Sequence, residues 1–408
     1  MRLTEAPELT SGQAALQPAR NSLPSSVGVY VHIPYCVSKC PYCDFNSVAV
    51  YRWPEDDYVN ALIHEIEFYS QSDWFAGHEV TSVYFGGGTP SLFSARSLER
   101  ILLTITRSWR CQSDIEVTVE ANPGTVNSAK LRSFREIGIN RLSLGVQSFN
   151  ETHLRLLGRV HNTEEALRAV EGAFVAGFEN INIDLIYALP GQSLSQWEED
   201  LRTACALGPT HLSAYNLTYE DGTLFYALRE QGRLVPLDED IEAAMFLLGE
   251  ELLHEHGYTR YEISNYAQSG FVCRHNLKYW SSEPYVGVGA GAHGFSPVGG
   301  NLGWGVRWAN ERSPRRYMEQ VHDQGHARVS LESLDYRRAA GEFMFLALRR
   351  ADGVDARAFS RRFRANAEAL FPVVSTLLEQ GLLETTASGW RLSPRGTLLA
   401  DSVFAEFC

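Results

Sequence analysis

No apolar stretch in the 408 residues approaches the roughly 18 that a membrane-spanning helix needs, so nothing in the chain reads as a bilayer span. Excess positive charge is also missing: 36 Lys and Arg stand against 49 Asp and Glu, a formal net charge of -13. Phosphate backbones are bound by clustered Lys and Arg, so a broad nucleic-acid surface is excluded and no nucleic-acid partner is expected. Internal repeats and low-complexity tracts are absent. So is a secretory signal: Met1 to Ser26 is polar, carries Glu5, Glu8, Pro18 and Pro24, and has no apolar h-region. Residues 1–26 read as a disordered leader and the protein as cytoplasmic.

Cysteine is sparse, seven in all, yet three fall within eight residues as Cys36, Cys40 and Cys43, spaced C-x3-C-x2-C. They follow directly on an apolar, strand-like run. A structural zinc site takes four ligands, usually as two knuckles, and no second knuckle follows at the usual distance. Disulfide scaffolding does not fit a chain this long without an export signal. Thiolates also hold iron–sulfur clusters, and three ligands to a four-iron cubane leave one iron open. Cys111, Cys205, Cys273 and Cys408 are scattered, and the first two read as small buried hydrophobes.

Apolar, β-branched or aromatic runs recur at Val27–Ile33, Ser82–Phe85, Ile115–Val119, Arg141–Gln147, Asn180–Leu189 and His211–Tyr219. Helical periods lie between them: Tyr58, Leu62, Ile66 and Tyr69 share one face, and Leu131, Phe134 and Ile137 share another that stops at Gly138. Ser195-x-x-Glu198 has capping-box form, with Gly208 closing that helix. Six strands alternating with helices imply parallel βα units, as an open sheet or a partial barrel. Both place the site at the carboxyl ends of the strands.

Polar groups gather at those ends. Gly86-Gly87-Gly88-Thr89-Pro90 follows the second strand, where bare backbone can approach a ligand. Glu120, Gln147, Arg159 and Asp184 each end or interrupt an apolar run, and four converging polar residues exceed what structural hydrogen bonding usually requires.

After about Phe225 the alternation fades. Helical periodicity through Met245, Leu248, Leu252 and Leu253 leads to Cys273-Arg274-His275-Asn276-Leu277-Lys278-Tyr279-Trp280. On spacing alone a lone His among aromatics is more often structural than a ligand, although imidazole is a good axial ligand and aromatics suit a porphyrin face. The run Val286 to Gly294 has so little side chain that it must pack closely against something; its His293 reads equally as ligand or structural residue. From about Asp335 helices surround a hairpin around Ala387-Ser388-Gly389, a winged-helix-like pattern. With ten Arg against nine Asp and Glu it lacks a basic face, which favours a docking or lid domain over DNA binding.

The cysteine motif, with Tyr42 before the third Cys, resembles the radical S-adenosylmethionine (SAM) superfamily, whose open iron binds the amino and carboxylate groups of SAM. Tyr30 to Phe45 is similar to the oxygen-independent coproporphyrinogen III oxidase branch. There the dehydrogenase carries a further Cys where this chain has Phe45, and His-Asn-x-x-Tyr-Trp resembles the HemW-type heme chaperones instead. The likeness runs from Val27 to the C-terminus. It implies an α/β fold: a radical SAM partial (βα)6 barrel over residues 27–225, a family-specific extension over 226–334 and a small winged-helix-like C-terminal domain over 335–408. It further implies a 4Fe-4S cluster on Cys36, Cys40 and Cys43, and SAM held by Tyr30, Tyr42, Gly87, Gly88, Thr89, Glu120, Gln147, Arg159 and Asp184. Heme would bind through His275, with Cys273 as a weaker thiolate candidate, and pass to an acceptor such as a respiratory membrane protein. A homodimer is compatible with this picture, as is peripheral contact with the membrane through the acceptor. The alternative is an enzyme, a radical SAM oxidative decarboxylase of coproporphyrinogen III; Phe45 and the His275 motif weigh against it.

Overall fold

The computed structural model describes residues 26–298 and 303–408. The leader expected over residues 1–26 lies outside them except for Ser26, which opens the first strand. Six strands run parallel and side by side in chain order: β1 (Ser26–Ile33), β2 (Glu79–Gly87), β3 (Arg110–Ala121), β4 (Arg141–Gln147), β5 (Asn180–Tyr187) and β6 (His211–Asn216). The helices that alternate with them are α1 (Glu55–Ser70), α2 (Ala95–Ser108), α3 (Ser128–Glu136), α4 (Thr163–Val175), α5 (Leu194–Ala206) and α6 (Glu239–Glu255). This is the expected (βα)6 order.

The chemistry of β1 explains the arrangement. Val27, Val29, Val31 and Ile33 share one face of the strand and are all fully buried, as suits β-branched side chains packed under the barrel helices. On α1 the expected stripe of Tyr58, Leu62, Ile66 and Tyr69 is likewise fully buried. The capping box of α5 lies two residues earlier than expected: Ser193 accepts from the backbone N–H of Gln196, whose side chain accepts from that of Ser193. Gln can serve at N3 as Glu does, and Leu194 rather than Gln196 opens the helix.

The parallel sheet is not closed on itself. Beyond β6 come antiparallel β7 (Thr259–Arg260) and β8 (Asn265–Ala267). On the other side β9 (Tyr285–Val288) adds a seventh parallel strand beside β1. Antiparallel β10 (His293–Ser296), β11 (Val306–Asn310) and β12 (Arg328–Ser333) continue outward from it. The Gly-rich run is therefore the β9–β10 connection. A Cβ on Gly287 would collide with the backbone of His293, and one on Gly294 with the Trp308 ring. Glu65 of α1 ties this extension to the barrel: its buried carboxylate accepts from Gly289 N–H at 2.9 Å, Asn310 Nδ2 at 2.8 Å and Tyr317 Oη at 2.7 Å.

The C-terminal part packs the helices Tyr336–Leu348, Ala356–Phe363 and Val373–Glu379 against a hairpin of Leu383–Thr385 and Gly389–Leu392, which Val354–Asp355 extends to three strands. This is a winged-helix-like arrangement. Phe359, Phe363, Phe371 and Val374 form its core.

Candidate functional site

The cysteine loop leaves the carboxyl end of β1. Tyr35–Cys36 pairs with Val48–Ala49, folding the intervening residues into a closed lobe. Gly88 N–H donates to the Ile33 carbonyl at 2.8 Å and Thr89 N–H to that of Tyr35 at 2.9 Å, so the end of β2 lies directly against this loop. A Cβ on Gly88 would sit 2.9 Å from Cys36 Sγ and 2.8 Å from the Tyr35 carbonyl oxygen. Gly87 has φ of +117°, and a Cβ there would meet the His32 ring at 2.7 Å. Both positions therefore require glycine, for space and, at Gly87, for conformation.

A cavity of 1060 Å³ opens at these strand ends, and Cys36, Cys40 and Cys43 line it. All three are free thiols, and burial holds those of Cys36 and Cys43 above their ordinary range. Thr89 Oγ1 donates to Cys36 Sγ and Arg159 Nη1 to Cys40 Sγ, each at 3.5 Å. Among the described residues no three His, Cys, Asp or Glu side chains converge as ligands of a single ion would. In a cubane each thiolate takes a different iron, so thiols spread around a roomy cavity beside a cation suit a cluster.

The same cavity is lined by Tyr42, Gly87, Gly88, Thr89, Glu120, Gln147, Arg159 and Asp184. Glu120 accepts from Tyr84 Oη at 2.9 Å and from Gly87 N–H at 3.1 Å. Burial pushes its carboxyl up to about 7, against the Tyr84 bond, which pulls it down. Asp184 accepts from Asn182 Nδ2 at 2.8 Å and Ser143 Oγ at 3.0 Å, and burial raises it too. Gln147 ends β4 at φ of 72°, a left-handed conformation uncommon without glycine. Arg159 spends Nη2 on the Gly145 carbonyl, and its buried Nε has no partner among the described residues. Acidic groups, a bare backbone edge and a guanidinium thus face one space, which fits a ligand carrying both ammonium and carboxylate.

Two expected positions lie elsewhere. Tyr30 faces a second cavity, with its hydroxyl 3.0 Å from His32 Nδ1. His275 lines neither cavity. It is 1 % exposed, its Nδ1 is hydrogen-bonded to Ser82 Oγ at 2.9 Å and its Nε2 to Tyr279 Oη at 2.8 Å. Burial pushes its pKa down to about 3. Both ring nitrogens are engaged, so in this conformation His275 presents neither of them to an iron. Cys273 is fully buried beside Glu116, and burial pushes its thiol up to about 12, unlike a thiolate ligand. Glu116 also caps the helix α7 (Arg274–Trp280), accepting from the N–H groups of Arg274 and His275, each at 3.0 Å.

The sequence reading gives the C-terminal section a docking or lid role but names none of its lining residues. Arg395 and Thr397 to Ser402 line the cluster cavity, as do Ile263 and Arg349. In the sequence Leu398 and Leu399 are indistinguishable from core leucines, and only the fold shows them exposed.

Comparison with known proteins gives this geometry a family. The radical SAM superfamily model matches residues 30–204 and the HemN C-terminal domain model residues 334–399. "Heme chaperone HemW" of Bacillus subtilis (strain 168) is 37% identical over 380 residues, covering 93% of this chain and 98% of that one. The chain belongs to the HemW family. The HemW protein of Escherichia coli (strain K12) is also 37% identical, over 384 residues, 93% of this chain and 98% of that one. A mouse relative, "Radical S-adenosyl methionine domain-containing protein 1, mitochondrial", is 34% identical over 398 residues, with 95% and 88% covered. Among solved structures, the coproporphyrinogen III oxidase HemN of Escherichia coli superposes with a TM-score of 0.80 at 23% identity, covering 95% of this chain and 91% of that one. That likeness establishes the fold. Radical SAM membership of the HemW family implies a 4Fe-4S cluster and SAM.

Proposed function

We propose that this chain is a heme chaperone: it binds heme beside a SAM-ligated 4Fe-4S cluster and hands it to an acceptor such as a respiratory membrane protein. The observation that carries this reading is identity of 36–37% with four bacterial heme chaperones, each over 93% of the chain. Cys36, Cys40 and Cys43 hold the cluster. Gly87, Gly88, Thr89, Glu120 and Asp184 receive the polar groups of SAM, with Tyr42, Gln147 and Arg159 around them. Bound there, the cluster and SAM supply one-electron chemistry. The chain's own part is to orient SAM and exclude water, with the C-terminal domain as the cover.

The protein is cytoplasmic in this reading and meets the membrane through its acceptor. Among the described residues no helix is long and apolar enough to cross one. A homodimer is the assembly to look for by ultracentrifugation. The decarboxylase reading is weaker: Phe45 stands where the dehydrogenase carries a further cysteine, and the likeness to HemN is one of fold.

Anaerobic titration of cluster-reconstituted protein with hemin, followed in the Soret band, tests the reading. Saturation near one heme per chain supports it. Absence of saturable binding, with conversion of coproporphyrinogen III and release of deoxyadenosine, would replace it with the decarboxylase.

A further inference from the structure

A second cavity of 720 Å³ lies between β1, the extension and the C-terminal domain. Its volume is within the usual range for sites of drug-sized and cofactor-sized ligands, about 300–1,000 Å³. It shares only Asp44 and Phe45 with the cluster cavity, so the end of the cysteine loop is the partition between them.

One wall is aromatic, and the His275 motif supplies Tyr279 and Trp280 of it. Tyr279 packs edge-on against Tyr285 at 4.6 Å between ring centres, and Trp280, Phe295 and Phe345 complete the surface. His293 lines the cavity from the first position of β10. It is exposed, and neither of its ring nitrogens has a hydrogen-bond partner among the described residues. Partial desolvation of the ring, then Arg307 and Arg312, lowers its pKa, which keeps the imidazole neutral with a lone pair to give.

Three arginines, Arg307, Arg312 and Arg362, line the cavity against two acidic residues, Asp44 and Glu342. Arg307 pairs with Glu332 and Glu342. Arg312 and Arg362 also line the cavity, and neither is in an ion pair among the described residues. Arg362 is desolvated over the rings of Phe343 and Phe363, at 5.8 and 5.4 Å, and its one hydrogen bond is a long one of 3.4 Å to the Ser282 carbonyl. Burial brings its pKa down to about 10. A desolvated guanidinium held by one long hydrogen bond favours a carboxylate ligand, and Arg312, exposed with a long bond of 3.4 Å to Asn46 Oδ1, adds a second cation at the rim. Ser282 and Trp280 line this space, and their Oγ and Nε1, buried from solvent, have no hydrogen-bond partner among the described residues. Such atoms normally find one. An apolar wall, a free imidazole and two cations outside any ion pair among the described residues fit an iron porphyrin with two carboxylates.

We propose that heme binds in this second cavity, with His293 as the ligand to its iron and Arg312 and Arg362 receiving its propionates. The proposal rests on the heme-chaperone reading and relocates its ligand. His275 becomes a positioning residue, which holds Tyr279 at the cavity wall through the Nε2 bond.

The test titrates full-length, cluster-reconstituted wild type, His293→Ala, Arg312→Gln/Arg362→Gln and His275→Ala with hemin and, separately, with metal-free protoporphyrin IX. His293→Ala is expected to shift the Soret band and weaken hemin about tenfold or more, to leave protoporphyrin IX unchanged, and to regain the wild-type spectrum with added imidazole. The double arginine variant is expected to weaken both ligands. In His275→Ala, the protein that remains folded keeps the wild-type Soret position. A His293→Ala protein that retains its cluster and binds hemin with wild-type spectrum and affinity overturns the proposal, as does loss of imidazole ligation in His275→Ala alone. Failure of the wild type to bind hemin at all overturns the chaperone reading instead.

Discussion

Nε2 of His275 and the hydroxyl of Tyr279 lie 2.8 Å apart, one turn of the same helix, and this bond joins the barrel to the second cavity. The ring is clamped from its other side by Ser82 of β2, and Gly28 of β1 leaves room for it: a Cβ there would stand 3.1 Å from Cε1. Replacing His275 by Ala strands two buried hydroxyls and opens a void. Stability is expected to fall by about 2–4 kcal/mol in denaturant unfolding, with Asn recovering part of the loss. Unchanged stability would mean that the imidazole is not the structural clamp described here.

Arg159 places positive charge beside Cys40, with Nη1 3.5 Å from Sγ. A cation next to a cluster favours its reduced, more negative state. Arg159→Leu should therefore retain iron yet lower the cluster's reduction potential, whereas Ala at Cys36, Cys40 or Cys43 should yield protein without a cluster. Iron and sulfide analysis with a redox titration read both. An unchanged potential in Arg159→Leu would show that the guanidinium serves the Gly145 carbonyl alone.

Glu120 is the carboxylate whose charge SAM binding should report. With its pKa raised by burial to about 7, it is mostly protonated below that value and ionised above it. SAM carries sulfonium and ammonium charge, so its affinity is expected to increase from about pH 6 to about pH 8 with uptake of the ligand releasing a proton. Glu120→Gln should flatten the profile. Isothermal titration in buffers of different ionisation enthalpy counts the proton, and a flat wild-type profile would separate Glu120 from the ligand.

Glu65 gives stability a pH dependence of its own. Burial raises its carboxyl to about 7 in the folded protein, against the bond from Gly289. The folded state therefore holds a proton that the unfolded chain, with an ordinary carboxyl, has already released. The contribution is complete below the unfolded pKa and is lost as pH rises through about 7. Glu65→Gln should reduce the fall in Tm between about pH 5 and about pH 8. A decline as steep as in the wild type would assign it to the other buried carboxyls, Glu120, raised to about 7, and Asp200, raised to about 6.

Local chemistry explains which parts were legible beforehand. The six barrel strands announce themselves because parallel strands buried on both faces are nearly unbroken apolar runs, as Val27 to Ile33 shows. The strand-end groups Glu120 and Asp184 stand out because they interrupt such runs. The seventh parallel strand, Tyr285–Val288, hides in a glycine-rich segment whose pairing with β1 spans most of the chain. Glu65 reads as a solvated helix face until Gly289, Asn310 and Tyr317 are brought to it from 220 or more residues away. A motif identifies His275 as important without saying which atoms it touches; the fold sets its ring nitrogens against Ser82 and Tyr279. The second cavity draws on β1, the cysteine loop, α7, β10, β11 and the C-terminal domain, a convergence that no single stretch of sequence records.

Delivery is the claim at the centre of this account, and heme transfer measures it directly. Cluster-reconstituted protein loaded with heme would be mixed with respiratory membranes from heme-depleted cells, and reduced cytochrome spectra followed in time against an equal amount of free hemin. The expected result is that the loaded protein restores the membrane cytochromes faster than free hemin and is left without its heme. Retention of the heme, or restoration no faster than by free hemin, would contradict the account.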